Sequence, residues 1–332
     1  MTSLVTGASG FLGGHVVEGL CERGEKVVIL ARKTSDISAI KDLPIEVRYG
    51  DLTDLESVRR AAKGVDCVYN CAGAVRYVVP YDELYRSNVV SARNVVIAGA
   101  EAGAKRIVHT SSLGVTGPEG PISLGESSSY SASIKEKYCK SKTEAEIAFF
   151  NECAERKIEG IALRPGVIYG PRDYTASYFW FKIVDSGKVV YIGDGRTRFP
   201  LIYVDDLVRT FLVAGEKDGV TGRAYNLDGA EEVCLRLVYE RISKELGRDI
   251  IPAFVTYRFS HFTASLSELR VALGGYKKDP GLSKFVVELF GVDHGKADCS
   301  RARQELGFNP VTGIEEGMRK TAEWYRTVRG GS

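Results

Sequence analysis

The chain predicts an α/β fold in which stacked strand–helix–strand units form a parallel sheet and a smaller lobe is woven into it. Three observations carry this. Short β-branched runs alternate with helical patterns through the first half, a glycine-rich turn joins the first run to the first helix, and the alternation breaks down after Gly170-Pro171.

Leu4-Val5 opens the first strand, and residues 11–23 read as a helix ending at Gly24. Residues 27–31 form the second strand. Val47-Arg48-Tyr49 is the third, leading into the turn and helix cap Asp51-Leu52-Thr53-Asp54. Cys67-Val68-Tyr69 is the fourth strand, 82–102 a long helix with Gly103 near its end, and 106–110 the fifth strand. A polar Ser/Gly/Pro stretch, 111–133, precedes a charged helix at 135–157. Residues 161–163 give a sixth strand, stopped by Pro165-Gly166. Beyond it lie the aromatic segment 174–181 and the turn Gly193-Asp194-Gly195. The chain ends on Gly330-Gly331-Ser332.

Composition excludes several classes. The 332 residues carry 45 Lys and Arg against 43 Asp and Glu. A net charge of +2 makes no electrostatic case for nucleic acid or an anionic membrane as the main partner. No run approaches the ~20 apolar residues of a transmembrane helix, and no basic region, apolar stretch and cleavage site follow Met1. The seven cysteines lack paired zinc spacing, and no His or further Cys completes a set around Cys67 and Cys71. They read as reduced thiols of a cytoplasmic protein, with no metal site.

Thr6-Gly7-Ala8-Ser9-Gly10-Phe11-Leu12-Gly13 lies between the first strand and its helix. Glycines suit such a turn because side chains would block a pyrophosphate, and the helix N-terminus offers free N–H groups to the anion. Gly7, Gly10, Phe11, Leu12 and Gly13 are therefore candidate dinucleotide contacts. The end of the second strand chooses between cofactors. An acid there would bind the ribose 2′-OH of NAD, but this chain has Ala31-Arg32-Lys33, with no acid before Asp36. Arg32 suits the 2′-phosphate of NADP, so NADP is preferred and NAD stays open, as does a plain surface cation at position 32.

Tyr138 and Lys142 stand four apart, on one helix face. A phenol of pKa ~10 becomes a useful acid–base at neutral pH when an ammonium stabilises its phenolate. Ser111-Ser112 follows the fifth strand, at the carboxyl edge where α/β sheets bind ligands.

With the glycine loop, this set resembles the extended short-chain dehydrogenase/reductase superfamily, the epimerase/dehydratase class. The matching elements are TGASGFLG (6–13), GDLTD (50–54), NCAG (70–73), SNVVSARNV (87–95), HTSSLGVTG (109–117), YCKSK (138–142), LRPGVIYGPRD (163–173), IYVDDL (202–207) and SRARQELGFNP (300–310). The resemblance implies a Rossmann domain, a doubly wound parallel sheet over 1–170 with a return at about 201–228. A smaller interwoven substrate-binding lobe would take 171–200 and 229–328. It also implies roles. Tyr138 would be the general acid–base, Lys142 would lower its pKa and hold the nicotinamide ribose, and Ser112 would hydrogen-bond the reacting oxygen. Asp51 and Leu52 would contact adenine, and Ala72 and Gly73 would pass the ribose and pyrophosphate. Asn88 would steady the active-site backbone, and Pro165, Val167 and Ile168 would flank the nicotinamide. A homodimer would form by pairing 82–102 and 135–157 into a four-helix bundle.

The substrate lobe separates branches. Nucleotide-sugar enzymes of the class commonly carry Asn after the sixth strand, where this chain has Arg164-Pro165-Gly166. They also carry Arg-Asp-Phe before the Tyr-Val-Asp-Asp element, where it has Phe199-Pro200-Leu201, with Arg196 and Arg198 close by. Residues 251–290 insert Phe254, Tyr257, Phe259, Phe262, Leu266, Leu269, Leu273 and Phe285. Such an insert resembles the 3β-hydroxysteroid dehydrogenase and dihydroflavonol reductase branch, although plain helix packing accounts for it equally. A peripheral membrane contact is a further reading, since charges interrupt the stretch too often for it to span. Tyr178-Phe179-Trp180-Phe181 either walls an apolar pocket or belongs to the core. The expectation is an NAD(P)-dependent oxidoreductase interconverting a secondary alcohol and ketone on a largely apolar, steroid-like substrate. The alternatives are a nucleotide-sugar 4-epimerase or dehydratase that retains NAD, and a non-catalytic NADP-binding regulator.

Overall fold

The computed structural model describes residues 1–116, 130, 136–276 and 281–329. Gly117, most of the 111–133 stretch, Lys135, residues 277–280 and the Gly330-Gly331-Ser332 end lie outside the described residues.

The front half runs β1 (Thr2–Thr6), α1 (Phe11–Glu22), β2 (Lys26–Ala31), β3 (Ile45–Tyr49), α2 (Leu55–Ala62) and β4 (Cys67–Asn70). It continues through α3 (Tyr81–Leu84), a π-helical turn at Tyr85–Val90, α4 (Ser91–Glu101), β5 (Arg106–Thr110), α5 (Lys137–Arg156) and β6 (Glu159–Pro165). The long helix expected at 82–102 is thus interrupted by the π turn, with consequences for Asn88 described below.

After β6 the elements shorten: β7 (Val167–Tyr169), α6 (Ser177–Asp185), β8 (Lys188–Ile192), β9 (Arg198–Phe199), β10 (Leu201–Tyr203), α7 (Val204–Glu216) and β11 (Arg223–Leu227). Then come β12 (Val233–Cys234), α8 (Leu235–Leu246), β13 (Ile251–Val255), α9 (Tyr257–Leu273), α10 (Lys284–Gly291), α11 (Ser300–Leu306) and α12 (Ile314–Val328).

Seven strands form one parallel sheet in the order β3-β2-β1-β4-β5-β6-β11. This is the doubly wound α/β fold. Its order reverses between β1 and β4, so the ligand crevice opens past the carboxyl ends of those strands. There the Thr6 hydroxyl donates to Asn70 Oδ1 at 2.6 Å. Successive side chains serve opposite faces: Val5, Val27 and Ile29 pack with Val16 and Leu20 of α1 and Phe211 of α7. Leu4, Val28 and Leu30 pack instead with Val58 of α2, Val95 of α4 and Phe149 of α5.

α5 is pinned to β6 by charge. Arg164 is buried and forks onto the buried Glu146 carboxylate, with Nε at 2.9 Å from Oε2, while the Tyr130 hydroxyl donates to Glu146 Oε1 at 2.8 Å. Removing either partner would strand a buried charge. Arg164 is therefore committed to holding α5 in place. Trp180 and Phe181 belong to the core, while Phe179 faces solvent. Trp180, Phe199 and Phe290 meet edge to face, joining α6 and α10 through β9. At Gly193 and Gly195 the backbone takes positive φ, and Asp194 accepts from the Arg196 N–H at 2.9 Å, which makes this segment a turn.

Candidate active site

The glycine loop is tight for steric reasons. Gly7 has φ +69°, and a Cβ there would stand 2.7 Å from the Ala72 backbone nitrogen. A Cβ on Gly13 would stand 2.2 Å from the Gly7 carbonyl oxygen. The Gly10 N–H donates to that same oxygen at 2.9 Å. Gly10 caps α1 without a side chain, and no acid lies in the first turn. The leading N–H groups of α1 thus face the crevice with the positive end of the helix dipole, the environment a pyrophosphate requires. Leu12 is buried in the core, so only its backbone can serve a ligand, and Phe11 lies edge to face with His15.

Arg32 stands exposed at the end of β2, its N–H donating to Ser35 Oγ at 3.2 Å. Across from it, Asp51 accepts from the Thr53 N–H at 2.8 Å and hydroxyl at 2.7 Å. Those bonds hold the Asp51 carboxyl below its usual range, and the Arg32 charge adds to them. Leu52 is half-buried, and its carbonyl accepts from Asn94 Nδ2 at 2.8 Å.

Ala72 and Gly73 continue the crevice past β4. A Cβ on Gly73 would lie 3.5 Å from Asn88 Oδ1 and 3.7 Å from Lys142 Nζ. Asn88 is buried inside the π turn; its Oδ1 accepts from the Ala74 N–H at 2.7 Å, and its Nδ2 donates to Ser141 Oγ at 2.9 Å. One amide therefore ties the 72–74 loop to α5 between Tyr138 and Lys142. π turns recur at functional sites because the extra residue re-aims a side chain.

Lys142 is buried and donates to the Thr110 carbonyl at 2.6 Å. Burial draws its pKa down to about 8, and the Glu146 carboxylate opposes this. Tyr138 is buried one turn earlier, and burial pushes its phenol up, while a side-chain hydrogen bond with Ser112 pulls it back. The Ser112 oxygen also accepts from the Gly114 N–H at 3.0 Å. The group that opposes burial at Tyr138 is thus Ser112, with the Lys142 ammonium held on Thr110. Pro165 is buried at the end of β6 and Val167 and Ile168 are half-buried in β7, beside the Ser111 N–H that donates to Leu163 at 2.7 Å.

Two residues over Tyr138 complete the site. Tyr77 and Phe285 stack at 4.3 Å and 14°, and each meets the Tyr138 ring edge to face, at 5.7 and 5.9 Å. Tyr77 comes from the loop after β4 and Phe285 from α10. The sequence names Phe285 within the insert but gives no sign of Tyr77, since a lone aromatic in an irregular loop has no periodicity to read. Glu136 is a further neighbour without a sequence signal. It caps α5 by accepting the Cys139 N–H at 2.7 Å, and burial raises its carboxyl pKa.

The rest of the insert is placed differently from a pocket wall. Phe254, Phe259, Phe262, Leu266, Leu269 and Leu273, six of its eight apolar residues, face solvent. Arg198 is taken up by Asp293 at 2.7 Å and Glu232 at 3.3 Å, and the Arg196 side chain is exposed. Among the described residues no cluster of His, Cys, Asp or Glu suits a metal ion, and no helix is long and apolar enough to cross a membrane.

The family model for the NAD dependent epimerase/dehydratase family matches residues 3–228. A 2-alkyl-3-oxoalkanoate reductase of Stenotrophomonas maltophilia is 27% identical over 96% of this chain and 98% of its own. Sterol demethylase protein B of Methylococcus capsulatus is 30% identical over 98% of both chains. Among solved structures, a UDP-glucose 4-epimerase of Thermotoga maritima with UDP-glucose superimposes with a TM-score of 0.80. It is 21% identical over 99% of this chain and all of the other, a likeness of fold. With its glycine loop, switch-point crevice and Ser112–Tyr138–Lys142 grouping, the chain is an enzyme of the extended short-chain dehydrogenase/reductase type and belongs to the NAD dependent epimerase/dehydratase family.

Proposed function

We propose that this enzyme is an NADP-preferring oxidoreductase that interconverts a secondary alcohol and a ketone on a largely apolar, ring-bearing substrate of the steroid kind. The observation that carries this reading is the stacked Tyr77–Phe285 pair over Tyr138. A substrate oxygen reaching the phenol passes beside this aromatic pair, which rewards shape and apolar area and carries no charge to hold a diphosphate. The names of the Stenotrophomonas and Methylococcus relatives, a 3-oxoalkanoate reductase and a sterol demethylase protein, agree with an apolar substrate.

The residues present fit a dinucleotide, because Gly7 and Gly13 let the loop backbone close tightly against Ala72 and α1, and the α1 N-terminus beside it carries no side-chain cap and no first-turn acid. The α1 N–H groups and the Ala72–Gly73 backbone would hold the pyrophosphate and ribose, Arg32 the 2′-phosphate, and Pro165, Val167 and Ile168 one face of the nicotinamide. When bound, the nicotinamide gives or takes the hydride. Tyr138 exchanges the hydroxyl proton with the substrate oxygen, Ser112 hydrogen-bonds that oxygen, and Lys142 fixes the ribose and favours the phenolate. Asn88 acts through the 72–74 loop and Ser141, as a positioning residue. We expect a homodimer that pairs the α3–α4 region with α5, where Tyr85 and Ile147 expose apolar surface, in a reducing, cytoplasmic setting that suits seven free thiols.

The test is a panel of steroid ketones and 2-alkyl-3-oxo acids with NADPH, beside calorimetry with UDP- and GDP-sugars. Turnover of apolar ketones with no measurable sugar-nucleotide affinity is expected. Phe285→Ala should raise KM for those ketones at least about tenfold, since it removes apolar area from the approach to Tyr138. Micromolar UDP-sugar binding that is lost in Arg196→Ala would overturn the reading in favour of the epimerase.

A further inference from the structure

An amphipathic helix of a globular protein carries one apolar stripe and turns it inward. α9 carries two, on opposite sides. Its inner face is Ser260, Ala264 and Val271, all buried against the protein. On the other side Phe259, Phe262, Leu266, Leu269 and Leu273 repeat at spacings of three and four, a continuous seam. Each of the five is between 51% and 81% exposed.

The charge around this seam has one sign. At 100° per residue, Arg258 and Arg270 fall on opposite flanks of the seam, both exposed, and no described carboxylate pairs with either. The one acid of α9, Glu268, lies on the far side, where it accepts the Lys284 N–H at 2.7 Å and pairs with its ammonium at 3.5 Å. The exposed groove beside the seam is lined by Tyr257, Arg258, His261, Phe262 and Ser265.

We propose that the outer face of α9 docks on an anionic phospholipid bilayer, with the helix in the plane of the headgroups and Arg258 and Arg270 on lipid phosphates. Two magnitudes favour this occupant. Five half-exposed side chains offer about 500 Å2, short of the ~800 Å2 per partner of a standard protein interface. The seam is roughly 21 Å long at 1.5 Å per residue, too short for the ~30 Å hydrocarbon core, so the helix lies on the membrane and does not span it. Phe and Leu on one side with arginines along the rim is the composition of an interfacial helix. The near-neutral net charge makes the attraction local to this face. α9 also adjoins the candidate active site. Tyr276, just past its end, lies 5.9 Å under the Lys137 ammonium, and α10, packed on α9, carries Phe285 onto Tyr138. An apolar ligand leaving the bilayer would meet the aromatic roof next.

The test needs no substrate. The full chain is sedimented with vesicles of phosphatidylcholine alone and of phosphatidylcholine mixed with phosphatidylserine, at low and high salt. Binding to the anionic vesicles, weakened by salt, is expected. Phe262→Ser with Leu266→Ser should lower the bound fraction at least about tenfold, while Phe254→Ser, an exposed aromatic off the helix, leaves it unchanged. NADPH uptake reports that each variant is folded. Arg258→Gln with Arg270→Gln should remove the preference for the anionic vesicles independently of the seam. Failure of the unaltered protein to sediment with either vesicle would overturn the proposal. So would full retention in the double serine variant, or a solution dimer that this variant dissolves without any lipid binding.

Discussion

Around Tyr138 every neighbour has a distinct effect on the phenol. Burial under Tyr77 and Phe285 raises its pKa, the Ser112 hydrogen bond lowers it, and the Lys142 ammonium is held one turn on by a single bond to the Thr110 carbonyl. If Tyr138 is the proton carrier, Tyr138→Phe should cut kcat at least about hundredfold while NADPH affinity, read by fluorescence titration, barely changes. Near-normal kcat would remove Tyr138 from that role. At the other end of the crevice, one charge-assisted contact with a 2′-phosphate is worth about 1.5–3 kcal/mol, or one to two decades in affinity. Arg32→Ala should therefore weaken NADPH by that factor and leave NADH unchanged. An equal loss for both dinucleotides would return NAD as the preferred cofactor. The sequence marks Tyr138 and Lys142 by their spacing on one helix, and Arg32 and the Ser111-Ser112 pair by their places after strand ends; the choice of Ser112 within its pair comes from the family resemblance. It does not mark Tyr77 and Glu136, because they reach the site from a loop and a helix cap.

At the scale of elements, the sequence showed the strands from β1 to β6 through their β-branched runs, and it placed α1 by its glycines. It showed 82–102 as one helix, whereas the structure inserts the π turn at Tyr85–Val90. Helical periodicity survives such a turn with an offset of a single residue, so the pattern alone does not reveal it. What demands it is tertiary: Asn88 bonds at once to Ala74 and Ser141. The insert shows a related limit. The sequence offers the 251–290 insert as a feature of the substrate lobe or as plain helix packing, and a helix that is apolar on two sides does not say which side is buried. The tightest element-level constraint is the start of α1. A methyl on Gly13 would stand 2.2 Å from the Gly7 carbonyl, so Gly13→Ala must displace the loop or the helix. Dinucleotide affinity should fall by more than about tenfold for NADPH and NADH alike, since both share the pyrophosphate. A variant with unchanged affinity for both would show that this loop does not carry the cofactor.

Over the whole molecule buried carboxylates join the 201–229 stretch to the C-terminal region. Asp206 accepts the Val311 and Thr312 N–H groups, which anchors the segment before α12 to α7. Asp228, at the end of β11, accepts the N–H groups of Leu201 and Gly229 on one oxygen and of Ala297 on the other, at 3.1, 2.8 and 3.1 Å. It thus gathers three backbone segments that meet where the sheet passes into the C-terminal region. Burial nonetheless raises its pKa from 3.8 to about 6, against the pull of those bonds and of Lys296. The sign of the linkage follows. A carboxyl whose pKa is higher in the folded than in the unfolded chain binds more protons when folded. Its contribution is therefore fully present below the unfolded pKa and is lost as pH rises through about 6. The shift corresponds to about 3 kcal/mol across that window. Asp228→Asn has no such titration. It keeps one acceptor oxygen but turns an amide toward the Ala297 N–H, so it should be less stable than the parent at low pH. Its deficit should then shrink as pH rises from about 4 to about 7, because only the parent loses stability through this group. Other carboxylates titrate alike in both proteins, so the difference between their urea midpoints, converted with a common m-value, isolates Asp228. A deficit that stays constant or widens over that interval would show that Asp228 is ionised throughout, held by its three N–H donors in spite of its burial.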